Sequence, residues 1–112
     1  MAVDTRKKQD KATRAIFRAL KQAFPGLPDD IGQVVYRYNP VAVRLLVVDD
    51  RFAGLGTATR YKLVSEALRH LPESVTGDIT MAVMRTPEEM ADAARRGDLK
   101  YLEFEDPTRS EV

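Results

Sequence analysis

The sequence contains no cysteine and only one histidine, His70. The lack of cysteine excludes disulfides, thiol nucleophiles and thiolate metal sites, and it is typical of a protein that works in a reducing compartment. The apolar runs are much shorter than the roughly 20 residues that a membrane-spanning helix needs. No apolar stretch follows the charged residues near the start, so we expect no secretory signal and a cytoplasmic location.

The composition is that of an ordinary folded domain. Hydrophobic residues make up 44% and charged residues 31% of the 112 residues, a balance that indicates one globular core and not a disordered chain. We predict a single domain over residues 1–112, with a core at about 5–97 and a C-terminal extension at 98–112.

The net charge of +1 hides an uneven distribution. Residues 1–24 carry seven basic and two acidic groups, whereas residues 86–112 carry four basic and eight acidic groups. One end could attract phosphates and the other repel them, or the two ends could meet within one fold or between subunits.

The first half of the chain shows one helical and two strand-like patterns. Apolar residues recur at helical spacing over residues 5–24, and Pro25-Gly26 ends this helix. Residues 33–38 and 41–48 are rich in β-branched and aromatic side chains, which is typical of strands. Asn39-Pro40 between them predicts the turn of an antiparallel hairpin, with the second strand central and nearly buried.

The second half predicts a helix, a strand and a further helix. Apolar residues line one stripe of residues 57–71, and Pro72 ends that helix. Residues 79–85 form the third strand. Thr86-Pro87-Glu88-Glu89 is typical of a helix start, with Thr86 as the cap and Glu89 reaching back to it. The residues 99–105 are either an edge strand or an arm on a neighbouring molecule.

This order, α-β-β-α-β-α, predicts an α+β fold. The second strand, the helix and the third strand should form a right-handed parallel crossover. We therefore expect a three-stranded mixed sheet with helices packed on one face.

Few residues offer catalytic chemistry. His70 lies near the end of a helix without partners at catalytic or metal-ligand spacing, and it is favourably placed against the helix dipole there. Asp49 and Asp50 leave a strand in different directions, so they are better explained as polar turn residues than as paired carboxylates. We expect no enzyme, no metal and no cofactor.

The glycine loop and the helix after it are the more informative segment. Gly54-Leu55-Gly56-Thr57 precedes a helix and could attract an anion, although a turn with Thr57 as the helix cap explains it as well. Arg60-Tyr61-Lys62 places two cations near a helix N-terminus, where cations are disfavoured, and such a choice suggests a function.

These residues lie in a segment that resembles the BolA family. VVDDRFAGLGTATRYKLVSEAL (47–68) is similar to the family's strand ending, its Arg-Phe-x-Gly and its Arg-His-Arg triplet, which matches Arg60-Tyr61-Lys62. AIFRALKQAFP (15–25) looks like the family's first helix, and ITMAVMRTPEE (79–89) looks like its third strand and next helix start. The resemblance covers roughly residues 12–92.

The resemblance implies a fold akin to type II KH domains and one of two roles. A BolA protein either partners a monothiol glutaredoxin to share an iron–sulfur cluster, or binds DNA in transcriptional control. The sequence departs from the family at three points: Gly77-Asp78 stands near the expected ligand histidine, Asn39-Pro40 replaces a longer ligand-bearing loop, and Tyr61 replaces a histidine.

The leading hypothesis is a BolA-like regulatory protein that contacts nucleic acid or a protein partner. The predicted contact residues are Arg51, Gly54, Gly56, Thr57, Arg60, Tyr61 and Lys62, and the predicted secondary basic face comprises Lys7, Lys8, Lys11, Arg14 and Arg18. The alternative is a protein-interaction adaptor, either a homodimer held by the acidic C-terminal arm or a partner of a glutaredoxin.

Overall fold

The computed structural model describes residues 9–96, which form four helices and a three-stranded sheet. In chain order the elements are α1 (Lys11–Ala23), β1 (Val35–Asn39), β2 (Ala42–Val48), α2 (Thr57–Leu68), α3 (Glu73–Thr76), β3 (Ile79–Arg85) and α4 (Pro87–Arg95). Two short 3-10 turns, Ile31–Gln33 and Asp50–Phe52, precede β1 and follow β2. Within residues 9–96 no helix is long and apolar enough to cross a membrane.

The sheet has the order β1-β2-β3, with β2 in the centre. β1 and β2 are antiparallel and pair Tyr36 with Arg44, whereas β2 and β3 are parallel and pair Leu45 with Ala82. The predicted mixed sheet, with its hairpin and its parallel strand–helix–strand unit, is therefore confirmed. Parallel neighbours need a crossover connection, and α2 and α3 supply it.

The main core lies between one face of the sheet and the first two helices. Apolar side chains from β1 and β2 meet those of α1 and α2 there, and most of them are fully buried: Ile16, Leu20, Phe24, Val35, Val43, Leu45, Val47, Val64 and Leu68. Burying one such aliphatic side chain contributes about 1.5–3 kcal/mol to folding. α1 and α2 thus lie side by side in one layer on the sheet, as predicted.

The opposite face of the sheet has a smaller apolar cluster. Tyr36 and Leu46 are buried there, and the half-buried Val48, Val83 and Met90 pack against them. Met90 belongs to α4, so α4 contributes to this second cluster, whereas α1 and α2 cover the first face. Only Thr86, the N-cap of α4, lies between the end of β3 and the start of α4, and this short connection keeps Met90 beside Val83.

Several predicted boundaries move by two to four residues because of local hydrogen bonding. β1 begins only at Val35, since the Asp30 side chain accepts from the Gly32 backbone and holds a 3-10 turn over Ile31–Gln33. α2 ends at Leu68 instead of 71. Proline disfavours helical backbone at the residue before it, so α2 cannot continue into Pro72. Pro72 is the N-cap of α3, a helix that the sequence pattern did not predict.

The starts of α1 and α4 are held by reciprocal caps. Asp10 accepts from the backbone of Thr13, whose hydroxyl accepts from the Asp10 backbone, so α1 begins at Lys11 and not at residue 5. Thr86 and Glu89 form the predicted capping box around Pro87. The helix end predicted at Gly97 and the arm at 99–105 lie outside the described residues.

Arg37 ties three parts of the fold together from the edge strand β1. Its guanidinium pairs with Asp10 at the start of α1 and with Asp78 before β3, where Nη1 lies 3.2 Å from Oδ2. It also donates to the Pro40 carbonyl at 3.1 Å, which closes the hairpin turn. The Arg37 side chain is 17% exposed, whereas those of Asp10 and Asp78 are 39% and 36% exposed.

We expect Arg37→Ala to lower the free energy of unfolding by about 2 kcal/mol, because two carboxylates and a turn carbonyl lose their charged donor. Urea denaturation followed by circular dichroism measures this change. Arg95→Ala is the matched control: its ion pair with Asp92 is 67% and 48% exposed, and such pairs contribute about 0–1 kcal/mol. Equal destabilisation by the two substitutions would contradict the anchoring role.

Candidate functional site

The Arg60 guanidinium points inward and is bound by Glu89 of α4. Nη1 donates to Oε1 at 2.7 Å and Nη2 donates to Oε2 at 2.8 Å, which is the bidentate geometry of a strong ion pair. Nε donates to the Leu55 carbonyl at 2.8 Å, and Nη1 also donates to the Met84 carbonyl at 3.0 Å. Four hydrogen bonds thus hold a side chain that is 11% exposed.

This arrangement corrects the expectation that Arg60 offers a free cation to a ligand. The guanidinium joins the start of α2 to β3 and α4, so its role in this structure is positional. The hydrogen bond from Arg60 and the backbone N–H of Thr86 lower the pKa of Glu89 to about 2, and the bond to Glu89 raises the pKa of Arg60. Both groups therefore stay charged at neutral pH.

Arg51 is also drawn into the fold, although 51% of its side chain is exposed. Its guanidinium lies 4.1 Å from the centre of the Phe24 ring and donates to the carbonyl of Ala23, the last residue of α1. Nε pairs with Asp49 at 3.2 Å. A cation at a helix C-terminus interacts favourably with the helix dipole, so Arg51 completes the end of α1.

The glycine loop is exposed and open. Gly54 has φ +77°, a left-handed conformation that favours glycine, and Gly56 is the N-cap of α2. Thr57 is the first helical residue and not the cap, which corrects the sequence prediction, and no side chain caps this helix. A Cβ at Gly54 or Gly56 would meet nothing within 4 Å, so no other part of the described chain covers the loop.

Tyr61 and Lys62 are the predicted contact residues that do face outward. Tyr61 is 52% exposed, and Lys62 is exposed and makes no ion pair within residues 9–96. The predicted cluster therefore divides into two parts. Arg51 binds the C-terminal end of α1, and Arg60 fixes the start of α2. Tyr61 and Lys62 remain exposed on α2, beside the glycine loop.

The outward surface of the α1 and α2 layer is strongly basic. Its buried positions face the sheet, and the exposed positions opposite to them carry five cations and one carboxylate, Glu66. We call this surface the basic helical face and define it by its cations: Lys11, Arg14, Arg18, Lys62 and Arg69. Of the predicted secondary basic residues, Lys7 and Lys8 lie outside the described residues.

Comparisons with known proteins agree with this fold. No protein-family model and no curated protein matches the chain. Among solved structures, the chain is similar to the solution structure of BolA1 from Mus musculus, with a TM-score of 0.52 and 21% sequence identity over 84% of this chain and 80% of that one. The chain has a BolA-like fold.

The BolA-like fold does not bring a KH-type nucleic-acid clamp with it. KH domains hold backbone nucleotides with a Gly-x-x-Gly loop. No two of the six glycines in this sequence are three residues apart.

The residues present do not fit an iron–sulfur cluster, which the resemblance to BolA proteins would imply. Cluster ligands are thiolates or imidazoles, and the sequence has no cysteine and one histidine. The Nε2 atom of His70 accepts from Arg69 Nε at 3.4 Å, and Asp78, near the expected ligand position, pairs with Arg37. Within residues 9–96 no group of three or more His, Cys, Asp or Glu side chains could hold a metal ion.

Sequence reasoning missed the second role of Glu89. The Thr-Pro-Glu-Glu pattern assigned its carboxylate to the helix cap, and the structure confirms that Oε1 accepts from the Thr86 N–H at 2.9 Å. A carboxylate has about four lone-pair sites, however, so the same group also binds Arg60. The unfavourable placement of Arg60 near a helix start was the available signal that an acidic partner lay nearby.

We expect Glu89→Gln to flatten the acid part of the stability curve. Because the pKa of Glu89 in the folded chain lies below the ordinary 4.5, its carboxylate contributes stability above pH 4.5, and that contribution is lost as the pH falls towards about 2. Thermal unfolding between pH 2 and pH 5 measures the slope. Glu88→Gln, at an exposed position of the same helical turn, should leave the slope unchanged. Equal slopes for the native protein and both variants would contradict a stabilising Arg60–Glu89 ion pair.

Proposed function

We propose that this BolA-like chain is a non-catalytic binding protein that contacts nucleic acid through the basic helical face. The observation that carries the proposal is the state of three α1 cations, Lys11, Arg14 and Arg18. All three are exposed, their side chains make no hydrogen bond or ion pair with residues 9–96, and their spacing of three and four residues places them on one side of the helix.

A stripe of exposed cations suits a phosphate backbone. Lys11 and Arg18 are seven residues apart, which is about 10 Å along the helix axis. Cations that neutralise phosphates release counterions, and this release supplies most of the affinity of sequence-independent nucleic-acid binding. α1 contains no acidic residue that would oppose this interaction.

The packing of α1 argues against a membrane surface as the partner. An amphipathic helix binds a membrane by burying its apolar face in the lipid. Here Ile16 and Leu20 on that face are 0% exposed and belong to the protein core. Only the charged side of the helix is left to meet a partner, which favours a polyanion.

The exposed loop extends the proposed contact surface past the start of α2. Gly54, Gly56 and Thr57 are exposed there, and Lys62 lies one and a half turns further along the helix. Backbone N–H groups at a helix start attract anions. We propose that this segment flanks the contact made by the basic helical face, with Arg51 and Arg60 holding the two helices in place.

We expect the double substitution Arg14→Ala/Arg18→Ala to weaken binding to a DNA duplex and to make it less dependent on salt. The plot of log K against log salt concentration should lose about 1.8 from its slope, because each phosphate contact to duplex DNA contributes about 0.9. Fluorescence anisotropy with a labelled oligonucleotide at several salt concentrations measures both effects.

The double substitution Arg95→Ala/Arg96→Ala is the matched control, since it removes the same charge from exposed positions on α4. It should keep the slope of the native protein. Equal losses in the two double variants would show that only net charge matters. No binding of the native protein at low salt would contradict the proposal and leave a protein partner as the alternative.

A further inference from the structure

A groove opens beside the basic helical face, between α2, α3 and the start of β3. Its volume is about 300 Å³. Three apolar side chains line it: Leu68 at the end of α2, Leu71 between α2 and α3, and Ile79 at the start of β3. Polar side chains complete the lining: Ser65, Arg69, Glu73 and Thr76. A groove of this volume with a mixed lining suits a small ring system that carries polar groups.

Tyr61 lines this groove and leaves half of its ring uncovered. It is 52% exposed and makes no hydrogen bond or ring contact within the described chain. Two residues on the same helix, Val64 and Leu68, reach the core, so α2 does not need Tyr61 for its packing. An exposed aromatic ring beside a groove offers a face on which a planar ligand can stack.

The charges around the groove are unequal on its two sides. On the α2 side Lys62 makes no ion pair with the described part of the chain, and Arg69 lies 3.5 Å from Glu66 in a pair whose side chains are 65% and 61% exposed. Such an exposed pair is weak and leaves Arg69 able to bind another anion. On the α3 side the groove is lined by Glu73, which repels phosphate, so an anionic ligand would keep its charge along α2.

We infer that this groove receives one base of a single-stranded nucleic acid, stacked on Tyr61, with the adjoining phosphates bound by Lys62 and Arg69. This inference rests on the proposed function and names its substrate class. Proteins that bind single strands combine a basic track with aromatic rings on which bases stack, and Tyr61 beside the basic helical face supplies both elements. The bases of a duplex are paired and stacked inside it and cannot enter the groove.

The test compares Tyr61→Ala, Tyr61→Phe and the native protein on labelled oligonucleotides of one sequence, as single-stranded DNA, single-stranded RNA and duplex DNA. Stacking of one base on an aromatic ring is worth about 1–3 kcal/mol. We expect Tyr61→Ala to weaken binding of the single strands about tenfold and to leave duplex binding unchanged. Tyr61→Phe keeps the ring and should bind the single strands as the native protein does.

The outcomes separate this inference from the proposed function. Single-strand binding that Arg14→Ala/Arg18→Ala weakens but Tyr61→Ala leaves unchanged would overturn the base site and keep the basic face. Equal losses on single strands and duplex with Tyr61→Ala would also overturn it. Absence of all nucleic-acid binding would overturn both proposals. Because Tyr61 is exposed, thermal unfolding of Tyr61→Ala should match the native protein and so rule out misfolding as the cause of a loss.

Discussion

The central strand β2 must be covered on both of its faces, and the arrangement of the helices follows from this constraint. Val43, Leu45 and Val47 face one way and are 0% exposed, while Leu46 faces the other way and is also buried. α1 and α2 cover the first face as one layer. With their apolar sides used in this way, the polar sides of the two helices must point away from the sheet, and those sides carry the cations.

The Arg60–Glu89 ion pair decides which of these cations can meet a ligand. It joins the first turn of α2 to α4 through two hydrogen bonds of 2.7 and 2.8 Å. The pair takes Arg60 out of the surface around the glycine loop, and Arg51, although half exposed, is bound to Asp49 and to the end of α1. What remains exposed is a separate set on the outward helix surfaces, with Lys11, Arg14 and Arg18 on α1 and Lys62 on α2. Positioning and the proposed binding thus involve different basic residues.

The periodicity of the sequence was sufficient to predict the sheet and its topology, because burial of β2 and the helical stripes depends on short, regular patterns. The limits of β3, Ile79–Arg85, and the cap of α4 follow from local chemistry and match the structure. α3 was missed because a single turn of four residues has too few positions to show a period. The split of the sheet into two apolar faces, with Met90 on the second, depends on a tertiary contact.

The candidate site was harder to predict than the fold. Arg60, Tyr61 and Lys62 are adjacent in sequence, but successive helical residues point about 100° apart, so they reach α4, the groove and solvent respectively. Nothing in the local pattern indicates that Glu89, 29 residues away, binds Arg60. The exposure of the α1 cations was easier to foresee, because they lie opposite the apolar stripe that forms the core.

The central claim is that the outward surface of α1 and α2 meets a polyanion. The most direct measurement is a titration of the isotope-labelled protein with a short single-stranded oligonucleotide, followed by backbone amide chemical shifts. The account predicts that the largest shifts occur at Lys11, Arg14, Arg18, Lys62 and Arg69, with little change in α4. Shifts concentrated in α4 or on the Tyr36 and Leu46 face of the sheet, with α1 unaffected, would contradict it.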